Sequence, residues 1–488
     1  MVDGAKLSLA STAARGAAIS LVAQWVKFVI GIGSLAVLAR LLDPEDFGIV
    51  TAVTAFTSAA YLLSDFGLSM AAIQSQSISQ HQKSNLFWIN VLLGLTAAGI
   101  VYMAAWPIAH FYGVPEVAHV TQAIAGLFLI SAATAQYRAE ASKRLLFSQM
   151  AIADILAPAV ALVVGIWAAV AGLEYWALVL QQVTQALVLF VVLIAVTRWV
   201  PSLPRRGQQM KSLLSFGVNS VGVQLVNYVS NNIDSVILGR VSGVVAVGFY
   251  SRAYQIYRLP LQQLAAPTTR VAFPILSKLN DDQKTFDRYL QRGQLILAYV
   301  LGGAFFAGAG LANPLIEIVL GPHWDLTKIL FAILCVGGLF QAMGYVYYWL
   351  FLAKAMTGLQ LKWSLISRAL MVALIIAGSF WGAVGVASGV SAGLVLNWVI
   401  LTVFAVPRTG TAVRPLVMAA LRPILVFTLM LVVSAPAIIL TSMWSSSWGQ
   451  LGTIGGIMVA YLGVVFWLSQ SVRTDVLLIV QTVKRLRH

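Results

Sequence analysis

The stretch "SVGVQLVNYVSNNIDSVILGR", residues 220–240, is apolar enough to cross a membrane. Yet it carries Ser220, Gln224, Asn227, Asn231 and Asp234 at steps of four, three, four and three. At about 3.6 residues per turn this spacing draws one polar stripe along one helix face. Lipid cannot hydrogen-bond these groups, and an aspartate near mid-membrane costs roughly 2.5–3.5 kcal/mol even on a lenient insertion scale. The stripe must face other helices or water. An offset of 200 residues aligns it with "SLVAQWVKFVIGIGSLAVLAR", residues 20–40, where Ser20, Gln24, Lys27, Gly31 and Ser34 form a second stripe on the same face. Ser20/Ser220, Gln24/Gln224, Val26/Val226, Val29/Val229, Leu38/Leu238 and Arg40/Arg240 are identical, and Gly48/Gly248 follow.

Around these copies the whole chain is apolar. Its 488 residues are 60% hydrophobic and 10% charged, with a mean hydropathy of +0.87, against roughly 25% charged in a soluble protein. Apolar windows of about 20 residues predict an all-α polytopic membrane protein with fourteen spans. They lie near 17–39, 47–73, 86–110, 117–137, 150–172, 175–197, 213–239, 245–274, 293–319, 327–352, 361–381, 383–405, 416–441 and 449–470. The amino terminus lacks the short apolar core and cleavage site of a signal peptide, so the first span is expected to be retained. Cys335 is the only cysteine and the five histidines are scattered, leaving no disulfide and no metal or cofactor motif.

The net charge of +15 raises the question of nucleic acid. Its distribution answers differently. Of the 31 Lys and Arg, only Arg40, Arg240 and Lys328 sit toward one side; Lys27, Arg252, Arg258, Arg270 and Arg368 fall within spans, and the rest lie in loops and tails of the other side. Asp43, Glu45, Asp46, Glu116, Glu174 and Asp325 show the reverse bias. This is the positive-inside pattern, and it predicts a multi-pass protein with both termini cytoplasmic and no nucleic-acid partner. No loop exceeds about 20 residues, which leaves no room for a soluble domain.

Six spans separate the two stripes, an even number that preserves orientation, as in parallel-repeat transporters. The expected organisation is a six-helix lobe over 1–200, a second over 201–410, helices 13 and 14 over 411–472, and a basic tail over 473–488. Polar stripes can also be helix–helix glue. Two equivalent stripes, one with Lys27 and one with Asp234, favour a hydrated central cavity between pseudo-symmetric lobes. In the eighth span Arg252 and Arg270 return to one face after five turns, while Arg258 lies about 120° away beside Pro260, where a kink could redirect it. Arg368 sits one turn beyond Ser364 in the eleventh span. Arginine stays charged and grips phosphate bidentately, so these residues point to an anionic cargo. Tyr250, Tyr254, Tyr257 and the run "YVYYW" (345–349) offer faces for sugar rings or else form interfacial belts. Asp65 is expected to pair with Lys27 or to carry a proton, as is Asp234. Asp154 and Glu317 are expected to be solvated near helix ends.

The motifs "LARLLDPEDFGIVTAVTAF", "LLSDFGLSMAAIQ" and "NNIDSVILGRVSGVVAVGFYSRAYQI" closely resemble the Wzx-type oligosaccharide flippases of the multidrug/oligosaccharidyl-lipid/polysaccharide exporter superfamily. The resemblance implies two six-helix lobes around a central cavity. It also implies transfer of an undecaprenyl-pyrophosphate-linked oligosaccharide from the inner to the outer leaflet of a bacterial cytoplasmic membrane, alongside glycan polymerase and export machinery. Lys27, Arg252, Arg258 and Arg368 match the family's cationic cavity by location, with Gln24, Gln224, Asn227 and Asn231 as further substrate contacts. Two alternatives stay open. A drug/cation antiporter shares the fold class but favours an acidic cavity; a glycan polymerase or ligase normally carries a long outer loop with catalytic residues. No Gly-Lys-Ser/Thr phosphate loop occurs.

Overall fold

The computed structural model describes residues 2–65, 79–205, 211–441 and 446–485, with side-chain surroundings described outside 2–15, 17–18, 58–65, 211–231, 266 and 482–485. Among the described residues the chain is helical throughout, without a strand. Twelve stretches are long and apolar enough to cross a membrane. One of them, Asn232–Lys278, holds parts of both the seventh and the eighth predicted span; the second predicted span runs partly outside the described residues. The chain is an all-α polytopic membrane protein, and it divides into two compact units, Met1–Gly248 and Phe249–His488.

The first unit contains α1 (Val2–Leu41), α2 (Pro44–Asp65), α3 (Gln80–Tyr112), α4 (Glu116–Lys143), α5 (Phe147–Val170), α6 (Trp176–Thr197) and the start of α7 (Lys211–Pro260). The helix α3 opens on a capping box between Ser79 and Gln82 and closes on Gly113 at φ 72°, which satisfies backbone groups at both ends. It packs on α4 at Gly94, where an added Cβ would lie 2.9 Å from the Phe128 carbonyl oxygen. Small residues at such crossings let helices approach in lipid, where no hydrophobic drive separates tail from side chain. Phe87, Tyr137 and Trp199 meet edge to face and close the end of this pair.

The repeat has a structural counterpart inside this unit. A Cβ on Gly48 would meet the Val244 carbonyl oxygen at 1.9 Å, and a Cβ on Gly248 would meet the Pro44 carbonyl oxygen at 1.8 Å. Residues 44 and 244, and 48 and 248, are related by the same 200-residue offset. The contact is therefore reciprocal, and only glycine allows it on either side. Between the seventh and eighth predicted spans, α7 breaks at Gly243, whose φ of 81° lies in the left-handed region.

The second unit begins within α7 and continues through a π-helical turn (Leu261–Ala265), α8 (Ala266–Lys278), α9 (Gln283–Gly310), α10 (Ala312–Leu320), α11 (Asp325–Ala353), α12 (Thr357–Ser379) and α13 (Gly382–Ile400). A second π turn (Leu401–Ala405), α14 (Val413–Thr441), α15 (Ser447–Leu468) and α16 (Gln470–Arg485) complete it. The first π turn directly follows Pro260, the position of the predicted kink. The ninth predicted span is corrected: α9 ends at Gly310 and the short α10 starts at Ala312. Pro314 lacks an N–H, and its ring crowds the carbonyl four residues back, at Gly310, which favours the break seen there.

Candidate functional site

In the first unit Gln24 and Lys27 of α1 line a cleft of about 250 Å³ with Ser20, Ala23, Phe147, Met150, Ala151 and Asp154. Higher on the same stripe Ser34 accepts a hydrogen bond from Gln181 Nε2 at 2.7 Å. One stripe thus makes a helix–helix contact at Ser34 and borders a cleft within the first unit at Gln24 and Lys27. Asp65, the expected partner of Lys27, has its side chain outside the described residues, as do Gln224, Asn227 and Asn231. Asp234 is described and buried, and its Oδ1 accepts the backbone N–H of Ser235 at 2.8 Å.

The acid that shares the cleft with Lys27 is Asp154, which is ion-paired with Arg138 across the α4–α5 hairpin. This corrects two expectations. Arg138 is not in a loop, because α4 continues to Lys143, and Asp154 is not simply solvated. Glu317 is likewise paired, with Lys328 Nζ at 3.0 Å. On its other side Arg138 borders a second cleft of about 360 Å³, lined by Ser131, Thr134, Gln182 and Gln185 among apolar residues. The two clefts carry amides, hydroxyls, the Arg138–Asp154 ion pair and the Lys27 ammonium, groups able to hydrogen-bond a hydroxyl-rich ligand. The signal for the second was present in "LQQVTQAL" (180–187), whose Gln182 and Gln185 are three apart on one face.

In the second unit the arginines are arranged differently. The Arg258 guanidinium lies over the Tyr254 ring, 5.4 Å from its centroid, and Arg368, reaching in from α12, acts electrostatically on the same tyrosine. Tyr345 of α11 feels Arg258 in turn. Tyr254 stacks on Tyr250 with centroids 5.6 Å apart. Arg258 and Tyr254 thus meet on α7, with Arg368 of α12 within electrostatic range of the same tyrosine. Among the described residues neither Arg258 nor Arg368 forms an ion pair. Arg252 turns to Ser251, its Nε donating to the hydroxyl at 3.4 Å, and Arg270 is exposed.

The tyrosines divide by face. Tyr250, Tyr257 and Tyr347 are fully buried, with the Tyr257 hydroxyl donating to Gln341 and the Tyr347 hydroxyl paired with Thr402 at 2.6 Å. Trp349 is buried too, donating to Thr269 Oγ1 at 2.8 Å. These four hold the helices together and are neither belt nor platform. Tyr254, Tyr345 and Tyr348 remain partly accessible. Alternation within "YVYYW" follows from helical geometry, since neighbours in sequence point about 100° apart.

Comparison with known proteins adds a lineage to this geometry. Over 437 residues, 88% of each chain, the protein is 26% identical to the lipopolysaccharide biosynthesis protein WzxC of Escherichia coli (strain K12). Over 315 residues, 64% of each chain, it is 24% identical to the succinoglycan biosynthesis transport protein ExoT of Rhizobium meliloti (strain 1021). Its fold is similar to that of the lipid II flippase MurJ in an inward closed conformation, with a TM-score of 0.67 at 13% identity, covering 92% of this chain and 98% of that one. Residues 37–329, more than half of the chain, match the family described as polysaccharide biosynthesis protein. The chain is a member of that polysaccharide transporter family.

Proposed function

We propose that this protein moves a lipid-linked oligosaccharide, carried on undecaprenyl pyrophosphate, from the inner to the outer leaflet of a bacterial cytoplasmic membrane. The observation that carries this is the Arg258 guanidinium over the Tyr254 ring, with Arg368 of α12 within electrostatic range of that tyrosine and neither arginine ion-paired among the described residues. Guanidinium groups suit a pyrophosphate, and a nearby tyrosine suits the first sugar ring. The clefts of the first unit, lined by Gln24, Gln182 and Gln185, suit the hydroxyls of the glycan. Membership in a polysaccharide biosynthesis family supports the cargo class.

Transport proceeds by alternating access of two lobes, 1–200 and 201–410, with the polyprenyl tail left in lipid. Cargo alone shifts such an equilibrium only by its differential affinity for the two states. Removal of product by a polymerase outside, or an ion moving with Asp65 or Asp234, supplies direction; one charge crossing the membrane is worth about 2.3 kcal/mol per 100 mV. A cation antiporter would need carboxylates where Arg258 and Arg368 stand.

Deleting the gene tests the proposal. Lipid-linked oligosaccharide is expected to accumulate on the cytoplasmic side while surface glycan is lost, with recovery on re-expression. Unchanged lipid-linked pools together with altered sensitivity to small organic cations would overturn it.

A further inference from the structure

The C-terminal helix α16 is docked by a charge on its buried face. Asp475 is 7% exposed; its carboxylate accepts from Arg422 Nη1 of α14 at 3.3 Å and from the Tyr299 hydroxyl of α9 at 3.2 Å. A buried carboxylate is costly unless paired and hydrogen-bonded, and here both conditions are met. The surrounding cleft, about 170 Å³ between α9, α14 and α16, also contains Arg288 and Arg292, one turn apart on α9. Three guanidinium groups thus face one carboxylate within the cleft. Asp282 also acts on Arg288, but its oxygens are engaged by the backbone and hydroxyl of Thr285 at the start of α9. The cleft keeps an excess of positive charge.

Two further features decide what fits it. The helix α9 has 28 residues, about 42 Å at 1.5 Å per residue, against a hydrocarbon core of about 30 Å. Its first turns, which bear Arg288 and Arg292, therefore reach headgroup depth when the helix spans the core. From the cleft an exposed apolar row leads along α14 through Met418, Leu421, Leu425 and Leu429, at steps of three and four. Arg422 sits in the same row. A free phosphate would use only the cleft; an amphiphile uses cleft and row together.

We propose that this cleft binds the phosphate headgroup of an anionic membrane phospholipid, with an acyl chain on the α14 row, so that lipid completes the docking of α16. The site is separate from the one that carries the transport proposal and stands without it.

The test uses the full chain purified in detergent, with bound lipid counted by native mass spectrometry against added phosphatidylglycerol, phosphatidylcholine or inorganic phosphate. Phosphatidylglycerol is expected to bind in preference to phosphatidylcholine. The double variant R288Q/R292Q should weaken it about thirtyfold, from the weight two basic residues carry at an anionic surface. Both side chains are exposed, so the variant should elute as the native protein does. A second measurement needs no variant: washing the wild-type protein at about 1 M salt, where screening is nearly complete within 3 Å, should strip phosphatidylglycerol selectively. Equal retention of both lipids, or unchanged retention in the variant or after the salt wash, would overturn the proposal. Displacement of phosphatidylglycerol by equimolar inorganic phosphate would reassign the cleft to a free anion.

Discussion

In the first unit the guanidinium of Arg138 is closed off by Asp154; in the second, Arg258 lies over the Tyr254 ring, and neither it nor Arg368 meets a carboxylate among the described residues. The surroundings differ accordingly. Arg138 borders glutamines and hydroxyls, whereas Arg258 borders a column of tyrosines. A compensated pair amid amides can exchange hydrogen bonds with neutral hydroxyls but offers little net field. An arginine resting on an aromatic face keeps outward N–H groups for an anion.

Three sets of substitutions would break or sharpen this contrast. The largest effect is expected from Arg258→Ala combined with Arg368→Ala. Charge-assisted hydrogen bonds are worth roughly 1.5–3 kcal/mol each, so the pair should lower glycan export about a hundredfold or more at unchanged protein level. Normal surface glycan in this variant would remove the anion role of the second unit.

Next comes the shared frame. Gly48→Ala and Gly248→Ala should each cost at least about 1–3 kcal/mol, because the methyl group meets a backbone carbonyl that cannot step aside. Their thermal midpoints should fall together. Gly33→Ala, with nothing within 4 Å, should hold or gain slightly, since alanine is the better helix former by about 1 kcal/mol. A large drop for only one of Gly48 and Gly248 would show that the contact is not equivalent on its two sides.

The smallest effect belongs to Asp154→Asn. A partly exposed ion pair contributes about 0–1 kcal/mol, so stability should hardly move. Export should shift instead toward cargoes with acidic sugars, because Arg138 and Lys27 then face the clefts uncompensated. A transport defect equal to that of the double arginine variant, with neutral and acidic cargo alike, would erase the distinction between the units.

Much of the fold was legible because lipid imposes strong rules on sequence. Span lengths, the break near Gly243 and the kink after Pro260 follow from hydropathy, backbone freedom and a missing N–H. The site was legible in part. Helical spacing identifies Gln24 and Lys27 as neighbours, and lone arginines in apolar spans flag Arg258 and Arg368. The Arg258–Tyr254 contact is local, four residues apart on α7, whereas the approach of Arg368 depends on how α7 and α12 cross, which no local pattern encodes. Arg138 and Asp154 pair through a hairpin that places Leu145 at φ 57°, a conformation leucine does not advertise. The link from Arg422 to Asp475 spans 53 residues, and only tertiary packing brings those ends together.

The reciprocal contact of Gly48 with Val244 and of Gly248 with Pro44 has the form of a two-fold dimer interface, in which each partner presents the same patch to the other. Here both partners belong to one polypeptide. Such an interface is closed: it consumes its own surface and cannot propagate to further copies.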